Sequence, residues 1–333
     1  MIGKTAWIGL AMIALSVTLA TWSADVSKIK VSRLKESPII RPEMLTGKDV
    51  NNINGPSLIR VPAWAPGRLG NYYLYFAHHS GKYIRLAYAD DLKGPWKIHA
   101  SGTLQLAEAP GCKGHIASPD VLVDETNRQF RMYFHGPDKT ASKQLSYVAV
   151  SGDGLHFKAS AEPLGMFYFR VFQRDGWWYA MAKGGQLYRS KDGLTQFEKG
   201  GNPLPDGAAR SVEDGDANSP GPRHVALQPV DDTLWVYYSN IGDAPERILR
   251  CKVPFNGDWK TWQAGSVQEV LRPETEAEGI KLPLAKSAAG AAKGSENALR
   301  DPAIFTDTDA RVYLLYSVAG ESGIGIAELH EPR

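Results

Sequence analysis

A succession of short apolar runs repeats along this chain, and it constrains the fold more than any other feature. Aromatic and β-branched runs alternate with turns rich in Gly, Asp, Asn and Pro, while helical periodicity is scarce. Three consecutive copies are clearest, and in each of them three runs are followed by a turn that leads to a fourth, aromatic position. They are 56–61, 72–77, 83–88 and the turn Gly94-Pro95-Trp96; 119–123, 130–134, 145–150 and the turn 151–154 before Phe157; 169–172, 177–181, 186–189 and the turn 190–193 before Phe197. Units of about 40 to 60 residues with four short strands each predict the blades of a β-propeller.

Two further copies complete the repeat. The fourth comprises 223–227, 234–239, 248–253 and 259–262, and the fifth has only three runs, 303–305, 312–317 and 325–329. Segment 28–34 precedes the first copy and alternates polar with apolar residues, so we predict that it supplies the missing outer strand. The expected fold is therefore an all-β, five-bladed β-propeller with four-stranded antiparallel blades. A two-sheet sandwich is the alternative, but four strands repeating at one spacing disfavour it.

The N-terminus has the composition of a signal peptide. Lys4 precedes an apolar run, 6–20, which is followed by small and polar residues up to Ala24. A membrane anchor is the alternative, but this run is shorter than the roughly 20 residues that a bilayer span needs. We predict that residues 1–24 are a signal peptide and that residues 25–333 form one domain. The protein would be secreted or periplasmic, without membrane attachment after cleavage.

Net charge bears on the binding partners of the protein, and the two cysteines bear on a disulfide. The net charge is +2 and the basic residues are scattered, which excludes nucleic acid as an expected partner. Cys112 and Cys251 are far apart in the chain and could form one disulfide or remain separate buried thiols.

Two stretches interrupt the repeat, 200–222 and 274–297. The second contains the low-complexity segment 287–294. Loops of this length are usually functional or disordered, so the stretch 274–297 is either a mobile flap at the mouth of the central funnel or slack chain.

Several motifs resemble the five-bladed propeller glycoside hydrolases of the family 43 type and their relatives. These motifs are the strand pair 56–60 with 72–76, Leu92-Lys93-Gly94-Pro95-Trp96, Ser118-Pro119-Asp120-Val121-Leu122, and Arg300-Asp301-Pro302-Ala303-Ile304-Phe305. The resemblance covers most of the mature chain and implies a funnel that binds or cleaves carbohydrate. It also implies three funnel carboxylates: a base, an acid, and an aspartate that tunes the acid. The matching positions here are Gly55, a position near Phe167 or Tyr168, and a position near Pro220, none of which is a carboxylate.

Other carboxylates are available for the two roles that glycoside hydrolysis ordinarily requires, a proton donor and a base or nucleophile. They are Asp120 in the second copy, Asp301 in the fifth, and Glu296 just before it. Asp301 is the better base candidate because it alone occupies an Asp-Pro position, although an Asp before Pro can also cap a turn. Arg300 points the other way along a strand, so it need not pair with Asp301.

A second set of residues could transfer protons through histidine and tyrosine side chains instead of carboxylates. Its members lie near the ends of the predicted inner strands, where a propeller gathers side chains around its axis: His79, His115, Tyr168, Arg170, Arg223 and His224. Histidine exchanges protons near neutral pH, tyrosine can act as an acid, and arginine binds carboxylates. This set is similar in kind to the sites of propeller lyases such as ulvan lyases.

Three hypotheses follow. The first is a hydrolase of plant or algal polysaccharide or oligosaccharide that uses Asp301, Asp120 and Glu296. The second is a lyase that cleaves uronate-containing glycans with His115 or His79, Tyr168 and Arg170. The third is a non-catalytic carbohydrate-binding propeller. In each we expect substrate contacts from a set of funnel residues: His79, Arg170, Arg223, His224, Asn54 and Arg300.

We predict no cofactor, and a structural calcium or sodium ion on the axis stays open. His78, His79 and His115 are the residues that could bind a transition metal, but adjacent residues of a strand point to opposite faces. The pair Trp177-Trp178 is either blade core or a sugar platform, and core packing is the expected use.

Overall fold

The architecture is that of a five-bladed β-propeller, as predicted. The computed structural model describes residues 29–47, 49–205 and 221–331. Within these residues the chain forms five antiparallel sheets, and helix is limited to short 3₁₀ turns. The turns are Pro42–Met44, Leu106–Glu108, Lys183–Gly185, Trp259–Thr261 and Glu276–Glu278.

Each blade begins on the axis and is built outwards. The N-terminal strand is β1 (Lys30–Arg33). Blade 1 contains β2 (Asn54–Arg60), β3 (Tyr72–Ala77), β4 (Tyr83–Ala89) and β5 (Lys97–Gln105). Blade 2 contains β6 (Ala117–Asp124), β7 (Gln129–Pro137), β8 (Gln144–Ser151), β9 (Lys158–Ala159) and β10 (Gly165–Met166). Blade 3 contains β11 (Arg170–Arg174), β12 (Trp177–Met181), β13 (Leu187–Ser190) and β14 (Glu198–Lys199).

The last two blades follow the same order. Blade 4 contains β15 (Gly221–Val230), β16 (Thr233–Ile241), β17 (Ile248–Pro254) and β18 (Gln268–Leu271). Blade 5 contains β19 (Arg300–Thr306), β20 (Val312–Ser317) and β21 (Ile324–His330), with β1 as its outer strand. The innermost strands β2, β6, β11, β15 and β19 contact one another in a ring around the axis.

The N-terminal strand closes the ring, which confirms the prediction made from segment 28–34, although Lys28 lies outside the described residues. Strand β1 pairs with β21 in antiparallel register, with Val31 opposite Leu329. Its last residue, Arg33, places its guanidinium 2.7 Å from Glu278 and 2.7 Å from Glu274. The first described strand is therefore tied to both blade 5 and the segment that follows blade 4.

Removing β1 should destabilise the protein. Deletion of residues 1–34 is expected to lower the free energy of unfolding by roughly 3 to 5 kcal/mol, because four backbone pairings and the Arg33 ion pairs are lost. It would also expose the edge of β21 and promote aggregation. Urea denaturation and size-exclusion chromatography measure both effects. Deletion of residues 1–28, which keeps β1, is the matched control, and equal stability of the two truncations would contradict the role of β1.

The outer strand of blade 4 differs from the prediction. We expected it at 259–262, but that segment holds the turn Trp259–Thr261, and the outer strand is β18. The Asp258 carboxylate accepts a hydrogen bond from the backbone N–H of Lys260 and so favours the turn. Trp259 and Trp262 are buried there against Tyr179 of blade 3. These aromatic side chains therefore fill a blade interface.

Apolar side chains fill the spaces between neighbouring blades. Cys112 lies in the cluster between blades 1 and 2, and Cys251 in the cluster between blades 3 and 4. They are separate free thiols, and burial raises the pKa of each to about 12. Trp178 is buried with the Arg131 guanidinium 4.0 Å from its ring, and the Trp177 ring is covered by Arg189 at 4.1 Å. Both tryptophans pack against other side chains, as expected for blade core.

Two predictions concern residues outside the described part. The signal peptide proposed for residues 1–24 lies there entirely, and the stretch 200–222 lies there between 206 and 220. Among the described residues, no helix has the length and apolar character needed to cross a bilayer.

Candidate active site

Each innermost strand begins with an irregular segment that directs side chains to the axis. In blades 1, 2, 4 and 5 the register between the two inner strands shifts by a bulge. The first bulged residues are Gly55, Ser118, Arg223 and Asp301, and Tyr168 takes the corresponding place in blade 3. Four of these five residues have a left-handed backbone, with φ of 59° at Gly55, 51° at Ser118, 69° at Tyr168 and 50° at Asp301. Bulges are common next to active sites, where they change the direction in which a side chain points.

The bulges surround a small inner cavity on the axis. Its lining residues are Asn54, His79, Ala117, Ser118, His135, Tyr168, Arg223, His224, Asp301 and Glu321. Its volume is about 10 Å³, which is close to the space that one water molecule needs. A wider vestibule of about 400 Å³ shares His79 and Glu321 with it. The vestibule is otherwise lined by polar residues of 49–52, by His78 and Ser80, and by residues 291–294.

Asp301 and His224 form the most buried pair of the inner cavity. His224 Nδ1 lies 2.7 Å from Asp301 Oδ1, in an ion-pair contact outside ideal hydrogen-bond alignment. The Ser317 hydroxyl donates to Asp301 Oδ2 at 3.1 Å. Burial alone would raise the pKa of Asp301, but His224, Arg223 and Arg300 together lower it below its usual range. Burial lowers the pKa of His224, so the pair is a carboxylate beside a neutral imidazole at neutral pH.

His79 and Glu321 form a second imidazole–carboxylate pair at the boundary between the inner cavity and the vestibule. His79 Nδ1 lies 3.6 Å from Glu321 Oε1, and Asn54 donates to Glu321 Oε2 at 3.2 Å. Burial would raise the pKa of Glu321, but His79 and Arg300 outweigh it and lower that pKa. The inner cavity is thus flanked by two carboxylates, each of which contacts a histidine.

A buried ion-pair network supports this wall of the cavity. Glu246 is fully buried and accepts from Arg223 at 2.9 and 3.1 Å and from Ser239 at 2.7 Å. Arg300 Nε lies 2.9 Å from Glu246, and the same guanidinium contacts Glu321 and Glu296. Glu246 therefore balances two buried guanidinium groups at once.

The low-complexity segment 287–294 lies at the mouth of the site. Arg223 donates to the backbone carbonyls of Ala288, at 2.6 Å, and Gly290, at 3.0 Å. Residues 291–294 then form one side of the vestibule. The stretch 274–297 thus reaches the mouth of the central funnel, where Arg223 holds two of its carbonyl groups.

Tyr168 packs against two histidines. Its ring centroid lies 3.8 Å from that of His224 and 4.5 Å from that of His135, edge-on in both contacts. Burial and the nearby Asp301 carboxylate raise the pKa of Tyr168, which keeps the hydroxyl protonated. Among the described residues, this hydroxyl makes no hydrogen bond, so it is available as a donor.

Asp120 and Arg170 lie at the other end of the axis. They line a separate cavity of about 280 Å³. The Arg170 guanidinium donates to the carbonyl of Pro119 and to that of Val225 at 3.2 Å, and its Nη1 lies 3.6 Å from Asp120. Burial raises the pKa of Asp120, and Arg170 opposes this. Asp120 and Asp301 therefore do not face a common cavity, nor does Arg170 join Tyr168 there.

His115 and Glu296 also lie outside the lining of the inner cavity. His115 Nε2 is 3.3 Å from Gln144, and Glu296 contacts Arg300. No cluster of three or more His, Cys, Asp or Glu side chains that could hold a metal ion exists in 29–47, 49–205 and 221–331. The set of His78, His79 and His115 accordingly does not converge.

Four residues of the site were not singled out from the sequence: Ser118, His135, Glu246 and Glu321. Ser118 could have been found, since Ser118-Pro119 in blade 2 repeats the position of Asp301-Pro302 in blade 5. Glu246 and Glu321 follow β16 and β20 in irregular segments that carry no motif.

His135 should make stability depend on pH. Burial and the neighbouring His115 and His224 hold its pKa well below the usual value of about 6.5, and its Nδ1 has no hydrogen-bond partner within the described part of the chain. The unfolded chain then binds more protons as pH falls below about 6.5, so the free energy of unfolding decreases on acidification by up to about 1.4 kcal/mol per pH unit. His135→Phe is expected to reduce this slope in urea denaturation between pH 7 and 5.

His224 and His115 remain in that variant, so the slope should shrink without vanishing. The same replacement at His99, on the outer strand β5 away from the axis, should leave the slope as it is. An unchanged slope in His135→Phe would contradict the assignment.

Comparisons with known proteins identify one relative and one fold. No family model matches the chain. It is 38% identical to Uncharacterized protein R118 of Acanthamoeba polyphaga mimivirus over an alignment of 346 residues, which covers 97% of each chain.

Solved structures with the same fold include glycoside hydrolases. A glycosyl hydrolase from Bacteroides ovatus has a TM-score of 0.62 at 12% identity, over 92% of this chain and 94% of that one. A GH43 enzyme from Xanthomonas citri, complexed with xylotriose, has a TM-score of 0.57 at 14% identity, over 88% and 91%. At these identities the likeness concerns the fold, which is the five-bladed propeller of family 43.

Proposed function

Because this chain belongs to the family of Uncharacterized protein R118 and has the fold of family 43, we propose that it is a carbohydrate-active enzyme that hydrolyses glycosidic bonds. The observation that carries the proposal is the pair of imidazole–carboxylate contacts that flank one axial cavity, His224 with Asp301 and His79 with Glu321. Hydrolysis needs one group that removes a proton from water and one that delivers a proton to the leaving oxygen. Two separately supported imidazoles provide both groups in the absence of the usual carboxylates.

His224 is the proposed base. It is neutral at neutral pH and faces a cavity of about the size of one water molecule. Asp301 stabilises the positive charge that forms on the ring when it accepts the proton from water. Asp301 thus positions His224 and stabilises its charge. In this proposal His224 takes the role of base, which was predicted for Asp301 from the sequence.

His79 is the proposed acid. It lies where the inner cavity meets the vestibule, so a sugar bound in the vestibule would present its glycosidic oxygen near this ring. The Glu321 carboxylate lies 3.6 Å from His79 Nδ1 and orients the ring, so that its other nitrogen can donate a proton to the leaving group. Base and acid lie on different blades, since His224 belongs to β15 and His79 follows β3.

The vestibule suits a short carbohydrate. Its lining contains carboxylate, amide, imidazole and ammonium groups, from Asp49, Asn51, Asn52, His78 and Lys293, all of which can bind sugar hydroxyls. The segment 287–294 narrows the opening. We therefore propose plant or algal oligosaccharides, or the ends of polysaccharides, as substrates. We also propose export of the protein, from the composition of its first 24 residues.

The test is a panel of plant and algal glycans incubated with the purified protein, with detection of new reducing ends. The wild type should release reducing ends from at least one substrate, and His79→Gln and His224→Gln should both abolish the release. His99→Gln on outer strand β5 is the matched control and should retain activity. No release from any glycan, with binding still measurable, would leave the carbohydrate-binding propeller as the function.

The lyase hypothesis keeps one specific observation in its favour, the edge-on contact of Tyr168 with His224 at 3.8 Å. A tyrosine and a histidine in contact can act as acid and base in β-elimination. The two reactions differ in their products, because elimination creates an unsaturated uronate that absorbs ultraviolet light. If that absorbance appears on a uronate-rich glycan, elimination and not hydrolysis is the reaction of this site.

A further inference from the structure

Ser118 takes no part in the proposed glycoside hydrolysis, yet it faces the same histidine. Its Oγ lies 3.4 Å from His224 Nε2, and the other ring nitrogen of His224 lies 2.7 Å from Asp301. Ser317 in turn donates to the second oxygen of Asp301. A hydroxyl, an imidazole and a carboxylate therefore follow one another in the inner cavity, in the arrangement that activates a serine nucleophile.

The space beside Ser118 is kept open by Gly55. A Cβ atom at position 55 would lie 3.0 Å from Ser118 Cα and 3.4 Å from Ser118 Oγ. The resemblance to family 43 implies a carboxylate base at this position, and such a side chain would crowd the serine hydroxyl. The glycine on blade 1 and the serine on blade 2 are thus sterically matched.

We propose that Ser118, His224 and Asp301 form a catalytic triad that hydrolyses short acyl esters, with O-acylated sugars as the substrate class. Ser118 Oγ attacks the ester carbonyl carbon while its proton passes to His224 Nε2. The carbonyl carbon then releases the alcohol oxygen, which takes the proton from His224. Water attacks the resulting acyl-serine, gives one proton to His224, and releases the carboxylic acid as Ser118 Oγ regains that proton.

Two features of the cavity support this reaction. The Tyr168 hydroxyl is a free donor in the described structure, and its ring contacts His224, so it can stabilise the negative charge on the carbonyl oxygen. The inner cavity of about 10 Å³ has the size of one water molecule and excludes long acyl chains from the space beside Ser118, so acetyl is preferred to longer acyl groups. The alcohol part would occupy the vestibule. The triad shares His224 and Asp301 with the proposed glycosidase but does not require that function.

Covalent labelling tests the proposal without knowledge of the natural substrate. Full-length protein is treated with phenylmethylsulfonyl fluoride and analysed by peptide mass spectrometry, and hydrolysis of p-nitrophenyl acetate and p-nitrophenyl butyrate is measured in parallel. We expect an adduct on Ser118 and faster hydrolysis of the acetate. Ser118→Ala should lose the adduct and lower the hydrolysis rate at least 100-fold. His224→Gln should slow labelling by a similar factor.

Ser151→Ala is the matched control, since Ser151 is a buried serine of the same blade that contacts Asp153 instead of the axis. Thermal denaturation shows whether each variant is folded. Absence of an adduct on Ser118 in the wild type, or wild-type hydrolysis by Ser118→Ala, would overturn the triad. Release of reducing ends by Ser118→Ala reports on the glycosidase separately, so either activity can fail while the other stands.

Discussion

Asp301→Asn is expected to lower the rate of glycoside hydrolysis by about 10³- to 10⁴-fold while the protein remains folded. The substitution preserves the shape of the side chain but removes the negative charge that faces His224 at 2.7 Å. A neutral amide no longer stabilises the imidazolium, and it can reverse the tautomer of the ring; the corresponding change in a serine protease triad has an effect of about 10⁴. Initial rates on the best glycan of the panel measure the loss.

Asp120→Asn is the matched comparison, because it makes the same chemical change in the cavity at the other end of the axis. It should retain activity within about threefold. Loss of activity in both variants would instead favour the pairing of Asp120 with Asp301 that the sequence suggested. Full activity of Asp301→Asn would contradict the proposed role of the His224–Asp301 pair.

Glu246→Ala is expected to lower the free energy of unfolding by about 3 to 5 kcal/mol, a large loss for a single substitution. Glu246 is fully buried and contacts the guanidinium groups of Arg223 and Arg300. Without it, Arg223 would lose its carboxylate partner while buried, and Arg300 would keep only Glu296 and Glu321. Removal of one partner of a buried pair leaves the other charge uncompensated, and this desolvation cost dominates. Urea denaturation at pH 7 gives the difference.

Glu246→Gln separates the effect of charge from that of shape, because it keeps the volume of the side chain and removes only its charge. It should still lose most of the stability that Glu246→Ala loses. Glu274→Ala is the control, because Glu274 is an exposed partner of Arg33 and exposed ion pairs contribute at most about 1 kcal/mol. Equal stability of Glu246→Gln and the wild type would show that the hydrogen bonds, and not the charge, matter at this position.

The fold could be predicted because most strands of a propeller pair with strands that are next to them in the sequence. Each blade is built from consecutive segments, so its pattern appears directly in the sequence, and even the borrowed strand β1 was indicated by the incomplete fifth copy. The error in blade 4 arose because Trp259 and Trp262 imitate the apolar content of a strand. Their side chains fill the interface with blade 3, and the true outer strand Gln268–Leu271 is short and half polar.

The site could be predicted only in part. Tyr168, His224 and Asp301 come from bulges that occur at one place in every blade, so the repeat indicates which of them meet on the axis. Asp120 also belongs to an inner strand, but it lies two residues beyond Ser118, and an advance of about 3.3 Å per residue moves it towards the other cavity.

The supporting groups could not be predicted. Glu246 joins Arg223 to Arg300, and Glu321 approaches His79 from the segment between β20 and β21. These contacts link residues that are 23 to 242 positions apart in the sequence and depend on how blades pack, which no local pattern encodes.

The pairing of β1 with β21 means that the ring cannot close until both strands have been made. The fifth sheet acquires its fourth strand only after β21 exists, so the ring keeps an unpaired edge until then. The entropic cost of joining segments about 300 residues apart therefore falls on one late event. Since Val31 and Leu329 become neighbours only at that event, a pair of fluorescent labels near the two positions would time the closure of the propeller directly.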